Sequence, residues 1–215
     1  ILAALTGETT AAAPHDYVEE LFDNYATKFE GALVDDLGYK GPKLIIDIIK
    51  KYSNLESLGS VVDLGCGTGL FGEEIKQFCE YLEGVDLSEK MLDQAKKKSV
   101  YNQIIKQSIA DYLSTASLNF DYFISADVLI YLGDLSDVFR LIKSRNRAGG
   151  KFAFSTEDYD GDGFQLEQSG RYSHSKAYIV SLCEEYGFKL RHFETKPLRK
   201  EKTQFIKGGF YLLDF

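Results

Sequence analysis

Three acidic residues follow three successive apolar runs in the middle of the chain. Asp63 lies near the end of SVVDLG, Asp86 near the end of YLEGVDL, and Asp111 just after NQIIKQSI. If each run is a strand of one parallel sheet, their carboxyl ends meet at the edge where such sheets bind ligands. The pattern therefore predicts one ligand site lined by carboxylates.

Glycines alternate with other residues directly after Asp63, at positions Gly65, Gly67 and Gly69. Residues without a Cβ let a ligand approach the backbone and adopt positive φ angles. The helix predicted next presents free N–H groups to that ligand. Because the spacing from Gly67 to Gly72 also matches a dinucleotide fingerprint, the loop alone leaves two ligand classes open.

The charge of the predicted site separates these two classes. A fixed carboxylate at Asp63 opposes a pyrophosphate and favours a ligand with an ammonium group and a second cation, as in S-adenosylmethionine. Asp86 falls within the interval of about 20 residues at which an acid accepts both ribose hydroxyls. Ala110, Asp111 and Tyr112 supply an acceptor for the adenine amine and an aromatic neighbour. The residues therefore favour S-adenosylmethionine over NAD.

From Ser60 onward, short apolar runs alternate with helical patterns, which predicts crossover units and a mainly parallel sheet with helices on both faces. The last two runs, KLRHFET and GGFYLLDF, have no helix between them and should form an antiparallel hairpin. The predicted fold class is α/β, a doubly wound seven-stranded sheet with one antiparallel strand. Upstream, Val18, Phe22, Tyr25 and Phe29 recur at helical spacing and predict an N-terminal helical cap.

Composition limits the possible classes of protein. The 215 residues suit one domain, and 44% hydrophobic and 27% charged residues are typical of a folded chain. An acidic excess of 33 over 25 basic residues disfavours nucleic acid as a partner. No apolar run reaches the roughly 20 residues of a membrane span. Three scattered cysteines predict neither disulfides nor a metal site, and they fit a cytoplasmic location.

The expected domain boundaries follow these changes in pattern. Residues 1–14 are predicted to be a linker at the end of a preceding helical region, residues 15–56 the helical cap, and residues 57–215 the cofactor-binding domain. Because the chain begins at Ile1, we expect it to be a piece of a longer protein.

The motifs together resemble class I S-adenosylmethionine-dependent methyltransferases. The resemblance is carried by Asp63-Leu64-Gly65-Cys66-Gly67-Thr68-Gly69, Gly84-Val85-Asp86-Leu87-Ser88 with Met91-Leu92, Ala110-Asp111, the segment 120–132 and Ala148-Gly149-Gly150. It implies a Rossmann-like methyltransferase fold, the cofactor S-adenosylmethionine, and methyl transfer to an oxygen or nitrogen acceptor. That acceptor is a small molecule or a group presented by a partner protein.

The resemblance also implies roles for single residues. The cofactor-binding positions are Tyr25, Asp63, Gly65, Cys66, Gly67, Gly69, Asp86, Leu87, Met91, Ala110, Asp111, Tyr112, Asp127 and Val128. Asp86 holds the ribose and Met91 packs on the adenine, whereas Asp127, Val128 and Tyr131 face the transferred methyl group. Members of the family often have a histidine near the position of Tyr131, and this chain has none there.

A narrower resemblance concerns the methyltransferase domain that follows tetratricopeptide repeats in bacterial proteins. It rests on Phe22-Asp23-Asn24-Tyr25-Ala26 with Phe29, on Gly170-Arg171-Tyr172-Ser173-His174-Ser175, and on Leu198-Arg199-Lys200-Glu201. Leu2-Ala3-Ala4-Leu5-Thr6-Gly7 is similar to the junction of such a fusion. The resemblance implies a repeat array upstream that binds partners.

An acceptor that loses a proton during methyl transfer needs a base. His174 is the leading candidate, and its alternative role is to bind backbone at the start of a helix. Tyr131 either orients the acceptor or forms a wall of the pocket. Tyr25 and Phe29 either close over the cofactor or pack in the core.

Basic and acidic clusters leave two further alternatives. Arg171 and the run Arg199, Lys200 and Lys202 either grip an acidic acceptor or form a solvated surface. The segment 158–163 begins like a calcium loop, but Ser169 stands where the closing glutamate belongs, so a mobile acidic loop is favoured over a metal site. Two other functional classes stay open: a cofactor-binding interaction module without turnover, and an NAD-dependent oxidoreductase.

Overall fold

A computed structural model of the protein describes residues 9–26, 29, 39–53, 57–201 and 204–215. The expected fusion junction at residues 2–7 and Lys202 of the basic run lie outside the described residues. In the described part of the chain, no helix is both long enough and apolar enough to span a membrane.

Strands and helices alternate through most of the chain, as the apolar pattern predicts. The strands are β1 (Ser60–Leu64), β2 (Tyr81–Asp86), β3 (Gln103–Lys106), β4 (Tyr122–Ser125), β5 (Lys151–Asp158), β6 (Phe164–Leu166), β7 (Tyr172–His174), β8 (Lys189–Glu201) and β9 (Gln204–Asp214). The helices are α1 (His15–Tyr25), α2 (Gly41–Tyr52), α3 (Leu70–Ile75), α4 (Glu89–Lys98), α5 (Ile109–Thr115), α6 (Ser136–Arg145) and α7 (Lys176–Tyr186).

The sheet has the doubly wound topology. Strands β3, β2, β1, β4 and β5 lie side by side in that order and run parallel. Strand β9 pairs antiparallel with β5, and β8 pairs antiparallel with β9, so the predicted C-terminal hairpin completes the seven predicted strands. The order reverses between β1 and β4, which places the switch point, and hence the expected ligand crevice, beyond the ends of these strands.

A short hairpin, β6–β7, adds two strands that the sequence analysis does not predict. Strand β7 pairs parallel with the end of β5 at Glu157 and Asp158, and β6 pairs antiparallel with β7. Each strand has three residues, too few for an alternating pattern to stand out in the sequence. The hairpin matters for the site because it brings Arg171 next to Glu157.

Apolar side chains cover both faces of the sheet. In β5, Phe152 and Phe154 point to one face, where they pack around Phe139 of α6, whereas Ala153 points to the other. This alternation is the two-residue period of a strand buried on both faces. The face of Ala153 is covered by α2, whose buried isoleucines include Ile45 and Ile49.

The N-terminal segment closes over the carboxyl ends of the strands. Residue Ala12 forms an antiparallel bridge with Leu132, and Ala13 N donates to Tyr131 O at 3.0 Å. Helix α1 is then held against the start of α4, because Asp23 accepts a hydrogen bond from Ser88 Oγ at 2.5 Å. These contacts form a lid over the ligand crevice.

Candidate active site

A crevice of two connected lobes lies at the carboxyl ends of β1, β2 and β4. The larger lobe has a volume of about 300 Å³ and the smaller one about 120 Å³. Phe22 of the lid, Gly65 and Gly67 of the glycine loop, and Tyr131 line both lobes. An elongated ligand could therefore lie across the glycine loop with one end in each lobe.

The glycine loop needs its glycines for backbone conformation and for space. Gly65, Gly67 and Gly69 have φ angles of 80°, 54° and 87°, a region that favours glycine. A Cβ on Gly65 would lie 2.4 Å from a methyl group of Val128, whereas a Cβ on Gly67 would meet no atom within 4 Å. Gly67 therefore borders the open crevice, and Gly65 fixes the close approach of the loop to the segment after β4.

Asp63 is a buried carboxylate at the end of β1 that lines the larger lobe. Its Oδ2 accepts a hydrogen bond from the Tyr101 hydroxyl at 2.7 Å, and no ion pair joins it to a cation among the described residues. Burial raises the pKa of Asp63 to about 7, and the nearby Asp86 adds to this rise. The group is therefore poised to ionise when a positive charge enters the lobe.

Asp86 ends β2 and lines the smaller lobe. Its Oδ2 accepts from Gly67 N at 2.8 Å and its Oδ1 accepts from Ser88 N at 2.9 Å. Burial raises the pKa of Asp86, although these backbone N–H groups oppose the rise. The carboxylate is thus fixed in orientation, with its remaining lone pairs available to a ligand.

Aromatic and apolar side chains form the rest of the crevice. In the larger lobe, Phe22, Tyr25, Phe29 and Tyr39 face the glycine loop, and Tyr131 stacks edge-on against Phe22 at a centroid distance of 5.3 Å. The predicted site residues that line the smaller lobe with Asp86 are Leu87, Met91, Ala110 and Val128. The larger lobe also contains Cys66 and Asp127. A thiolate role for Cys66 is disfavoured because burial raises the pKa of its thiol well above the ordinary value.

Three residues that the sequence analysis assigns to the cofactor site line neither lobe. Asp111 is exposed and accepts from Ser108 Oγ at 2.7 Å, while its own N–H donates to that oxygen, as in a capping box at the start of α5. Tyr112 points into the core and donates to Glu83 at 2.5 Å. Gly69 is the residue before α3 and packs against Tyr101 rather than the crevice.

His174 does not reach the crevice either, which does not fit a role as general base. It ends β7, its ring is fully buried, and its Nε2 lies 2.9 Å from Leu132 O and 3.0 Å from Gly133 O. Burial lowers the pKa of His174 to about 4. The alternative role, a histidine that binds backbone just before a helix, matches this geometry, since α7 begins two residues later.

Two arginines from distant segments line the larger lobe instead. Arg171 precedes β7, and Arg199 follows a register shift in β8 that leaves it buried. Arg199 Nη1 donates to both carboxylate oxygens of Asp127, at 2.5 and 2.6 Å. Arg171 Nε donates to Glu157 at 2.8 Å, and Arg199 also binds Glu157. Arg199 is therefore not the solvated residue that a charge run usually indicates.

Sequence comparisons agree with this architecture. Residues 62–154 match the family model of a methyltransferase domain. Ubiquinone biosynthesis O-methyltransferase of Coxiella burnetii is 29% identical over 164 residues, which cover 72% of this chain and 64% of that protein. Malonyl-[acyl-carrier protein] O-methyltransferase of Hamiltonella defensa is 29% identical over 141 residues, covering 65% of this chain and 51% of that protein. The chain thus spans less than two thirds of the length of these relatives.

Solved structures share the fold at low sequence identity. Magnesium protoporphyrin IX methyltransferase of Synechocystis, with bound S-adenosylmethionine, superposes with a TM-score of 0.69 at 18% identity, covering 96% of this chain and 99% of that one. The 1,6-didemethyltoxoflavin-N1-methyltransferase of Burkholderia thailandensis, with bound S-adenosylhomocysteine, gives 0.70 at 15% identity, covering 96% and 92%.

The match over residues 62–154 and the shared Rossmann-like methyltransferase fold support the expectation of a class I S-adenosylmethionine-dependent methyltransferase domain with S-adenosylmethionine as its cofactor. Three features of the crevice fit S-adenosylmethionine. Asp63 and Asp86 carry no cationic partner among the described residues, Gly67 leaves room beside the backbone, and the buried Thr68 Oγ1 in the larger lobe has no hydrogen-bond partner there.

We expect Asp63→Asn to stabilise the protein at pH 8. Since the folded-state pKa of Asp63 is about 7 against 3.8 for the ordinary group, wild-type stability falls as pH rises through this window. Three pKa units correspond to about 4 kcal/mol of unfolding free energy. Because the folded protein relaxes around the ionised carboxylate, we expect the variant to gain on the order of 2 kcal/mol of stability. Urea unfolding at pH 5 and pH 8 measures this gain, with exposed Asp47→Asn as the control. A variant less stable than wild type at pH 8 would show that Asp63 has a cationic partner.

His174 should give the opposite pH dependence. Its pKa falls from 6.5 in the unfolded chain to about 4 when folded, so stability is lost as pH falls through this interval. We expect His174→Gln to remove most of this acid-induced loss, which amounts to about 2–3 kcal/mol. The measurement is thermal unfolding between pH 7 and pH 4. His15→Gln, which keeps His174, should retain the loss; equal slopes in wild type and His174→Gln would exclude a buried neutral ring.

Proposed function

We propose that this protein is an S-adenosylmethionine-dependent methyltransferase that acts on an oxygen or nitrogen acceptor. The observation that carries the proposal is a pair of carboxylates, buried Asp63 and half-buried Asp86, which flank the glycine loop and line one crevice. Withdrawing carboxylates from water costs free energy unless a positive or hydrogen-bonding partner compensates them. A phosphate-free ligand with an ammonium group and ribose hydroxyls supplies both kinds of partner.

Each part of the crevice has a role in this proposal. Asp86 would accept hydrogen bonds from the ribose hydroxyls in the smaller lobe, where Met91 and Leu87 would pack on the adenine. Asp63 would face the ammonium group, next to the glycine loop. The chemistry supplied by bound S-adenosylmethionine is a methyl group attached to a sulfonium leaving group. Tyr131, at the junction of the lobes, would border the path of the acceptor.

The chain itself then has to align the acceptor and exclude water. The aromatic lid would exclude water, because Phe22, Tyr25 and Phe29 cover the larger lobe from the side of α1. Asp63 argues against an NAD-dependent oxidoreductase, since its carboxylate occupies the position next to the glycine loop where a pyrophosphate would lie.

The acceptor and the setting of the reaction are further parts of the proposal. The acceptor would be a small molecule or a group on a partner protein that fits the larger lobe, and the names of the relatives, both O-methyltransferases, favour oxygen. We also propose a cytoplasmic location, which the three scattered cysteines fit, and tetratricopeptide repeats upstream, which the narrower family resemblance implies. Neither is needed for the chemistry of the crevice.

The proposal is tested by titrating the protein with S-adenosylhomocysteine in a calorimeter. We expect wild type to bind it and not to bind NAD, and Asp86→Asn to weaken binding by about 1–3 kcal/mol, since hydrogen bonds to a charged group are lost. Asp47→Asn is the matched control, because Asp47 is an exposed carboxylate of α2 that lines neither lobe. Binding of NAD in preference, or equal affinity in wild type and Asp86→Asn, would contradict the proposal.

A further inference from the structure

One wall of the larger lobe carries two guanidiniums, within a network whose three carboxylates outnumber them. Arg171, Arg199 and Asp127 line the lobe, whereas their other partners, Glu157 and Glu201, do not. Glu157 is buried behind the arginines, and each guanidinium binds it. Two guanidiniums and one carboxylate therefore face the space that an acceptor would enter.

The carboxylates behind the wall hold the guanidiniums in place. Arg199 donates three hydrogen bonds, two to the oxygens of Asp127 and one to Glu157. Arg171 uses Nε toward Glu157 and Nη2 toward Glu201, which directs two of its five N–H donors away from the lobe. A guanidinium fixed in this way is preorganised to bind a carboxylate, because little side-chain entropy is lost when the ligand arrives.

Apart from Asp63, which the proposed function assigns to the ammonium group of the cofactor, the described groups around this wall are poor proton acceptors. Both oxygens of Asp127 already accept from Arg199. Burial raises the pKa of Tyr131 and of Tyr39, so both hydroxyls stay protonated near neutral pH. His174 lies outside the lobe. This environment suits an acceptor that is already anionic and loses no proton when it reacts.

Resting on the proposed methyltransferase function, we propose that the acceptor group is a carboxylate, bound by Arg171 and Arg199 and converted to a methyl ester. One carboxylate oxygen accepts hydrogen bonds from the guanidinium wall. The other attacks the methyl carbon with a lone pair. A C–O bond forms, the C–S bond breaks, and its electron pair stays on sulfur, which becomes a neutral thioether. The acceptor loses its negative charge and no proton is transferred.

The test uses the whole chain saturated with S-adenosylhomocysteine and matched pairs of small molecules. Benzoate, cinnamate and octanoate are each compared with the corresponding primary amide, which has the same shape but no charge. We expect at least one acid to bind about tenfold or more tightly than its amide, the range expected for charge-assisted hydrogen bonds. With methyl-labelled S-adenosylmethionine, the product of that acid should release labelled methanol in alkali, as a methyl ester does.

Three variants test whether Arg171 causes the preference for the acid over its amide. Arg171→Gln should abolish it, and Arg171→Lys should restore part of it, because the charge returns without the planar fork. Arg140→Gln, on an exposed face of α6, is the matched control and should keep it. Both Arg171 variants should retain wild-type affinity for S-adenosylhomocysteine, which shows that they fold.

The outcomes separate this proposal from the preceding one. If S-adenosylhomocysteine does not bind to wild type, the methyltransferase function itself is wrong. If it binds but no acid is preferred over its amide, or if the labelled product is stable to alkali, only the carboxylate acceptor is wrong. The carboxylate proposal also fails if Arg171→Gln keeps the preference, or if it loses affinity for S-adenosylhomocysteine, because the guanidinium would then serve the cofactor.

Discussion

Two carboxylates at neighbouring strand ends, buried Asp63 and half-buried Asp86, constrain the whole site. They come from the parallel pair β1 and β2, which fixes their separation through the strand register. Desolvation raises the pKa of both carboxyl groups, so ionising them costs free energy that the described residues compensate only in part. The fold tolerates this cost because a large apolar core surrounds the sheet on both faces. A ligand that brings positive charge and hydroxyl groups offsets this free-energy cost. The site therefore favours a cationic cofactor.

Neighbouring residues keep the carboxylates in usable positions. Tyr101 donates to Asp63 and packs against Gly69, Gly72 and Gly84, so its ring supports the back of the glycine loop. On the opposite side of the crevice, carboxylates and guanidiniums alternate in a connected network. One side of the crevice thus presents the carboxylates Asp63 and Asp86, and the other presents N–H donors of two guanidiniums, as the proposed cationic donor and anionic acceptor require.

The local features of the site could be predicted from the sequence, whereas for the distant Arg171 and Arg199 the sequence left a binding role and a solvated surface as alternatives. The glycine loop and Asp86 lie directly after apolar runs, so strand periodicity places them. Asp111 lines neither lobe, and the Ser108-Ile109-Ala110-Asp111 pattern is also a capping box, a signal that the sequence contains. Tyr101 reaches Asp63 from the loop before β3, and Arg199 reaches the crevice through a register shift in β8. Neither path leaves a short-range pattern. The fold class was predicted correctly since it depends on the order of elements.

Counting the protons released when S-adenosylmethionine binds shows directly whether Asp63 ionises to pair with a positive charge of the ligand. Calorimetric titration at pH 6 in buffers of different ionisation enthalpy gives this number. Since the pKa of Asp63 is about 7 in the free protein, the carboxyl is mostly protonated at pH 6 and should ionise on binding. We expect release of about one proton per bound ligand in wild type and none in Asp63→Asn. Binding without proton release in wild type would contradict this expectation.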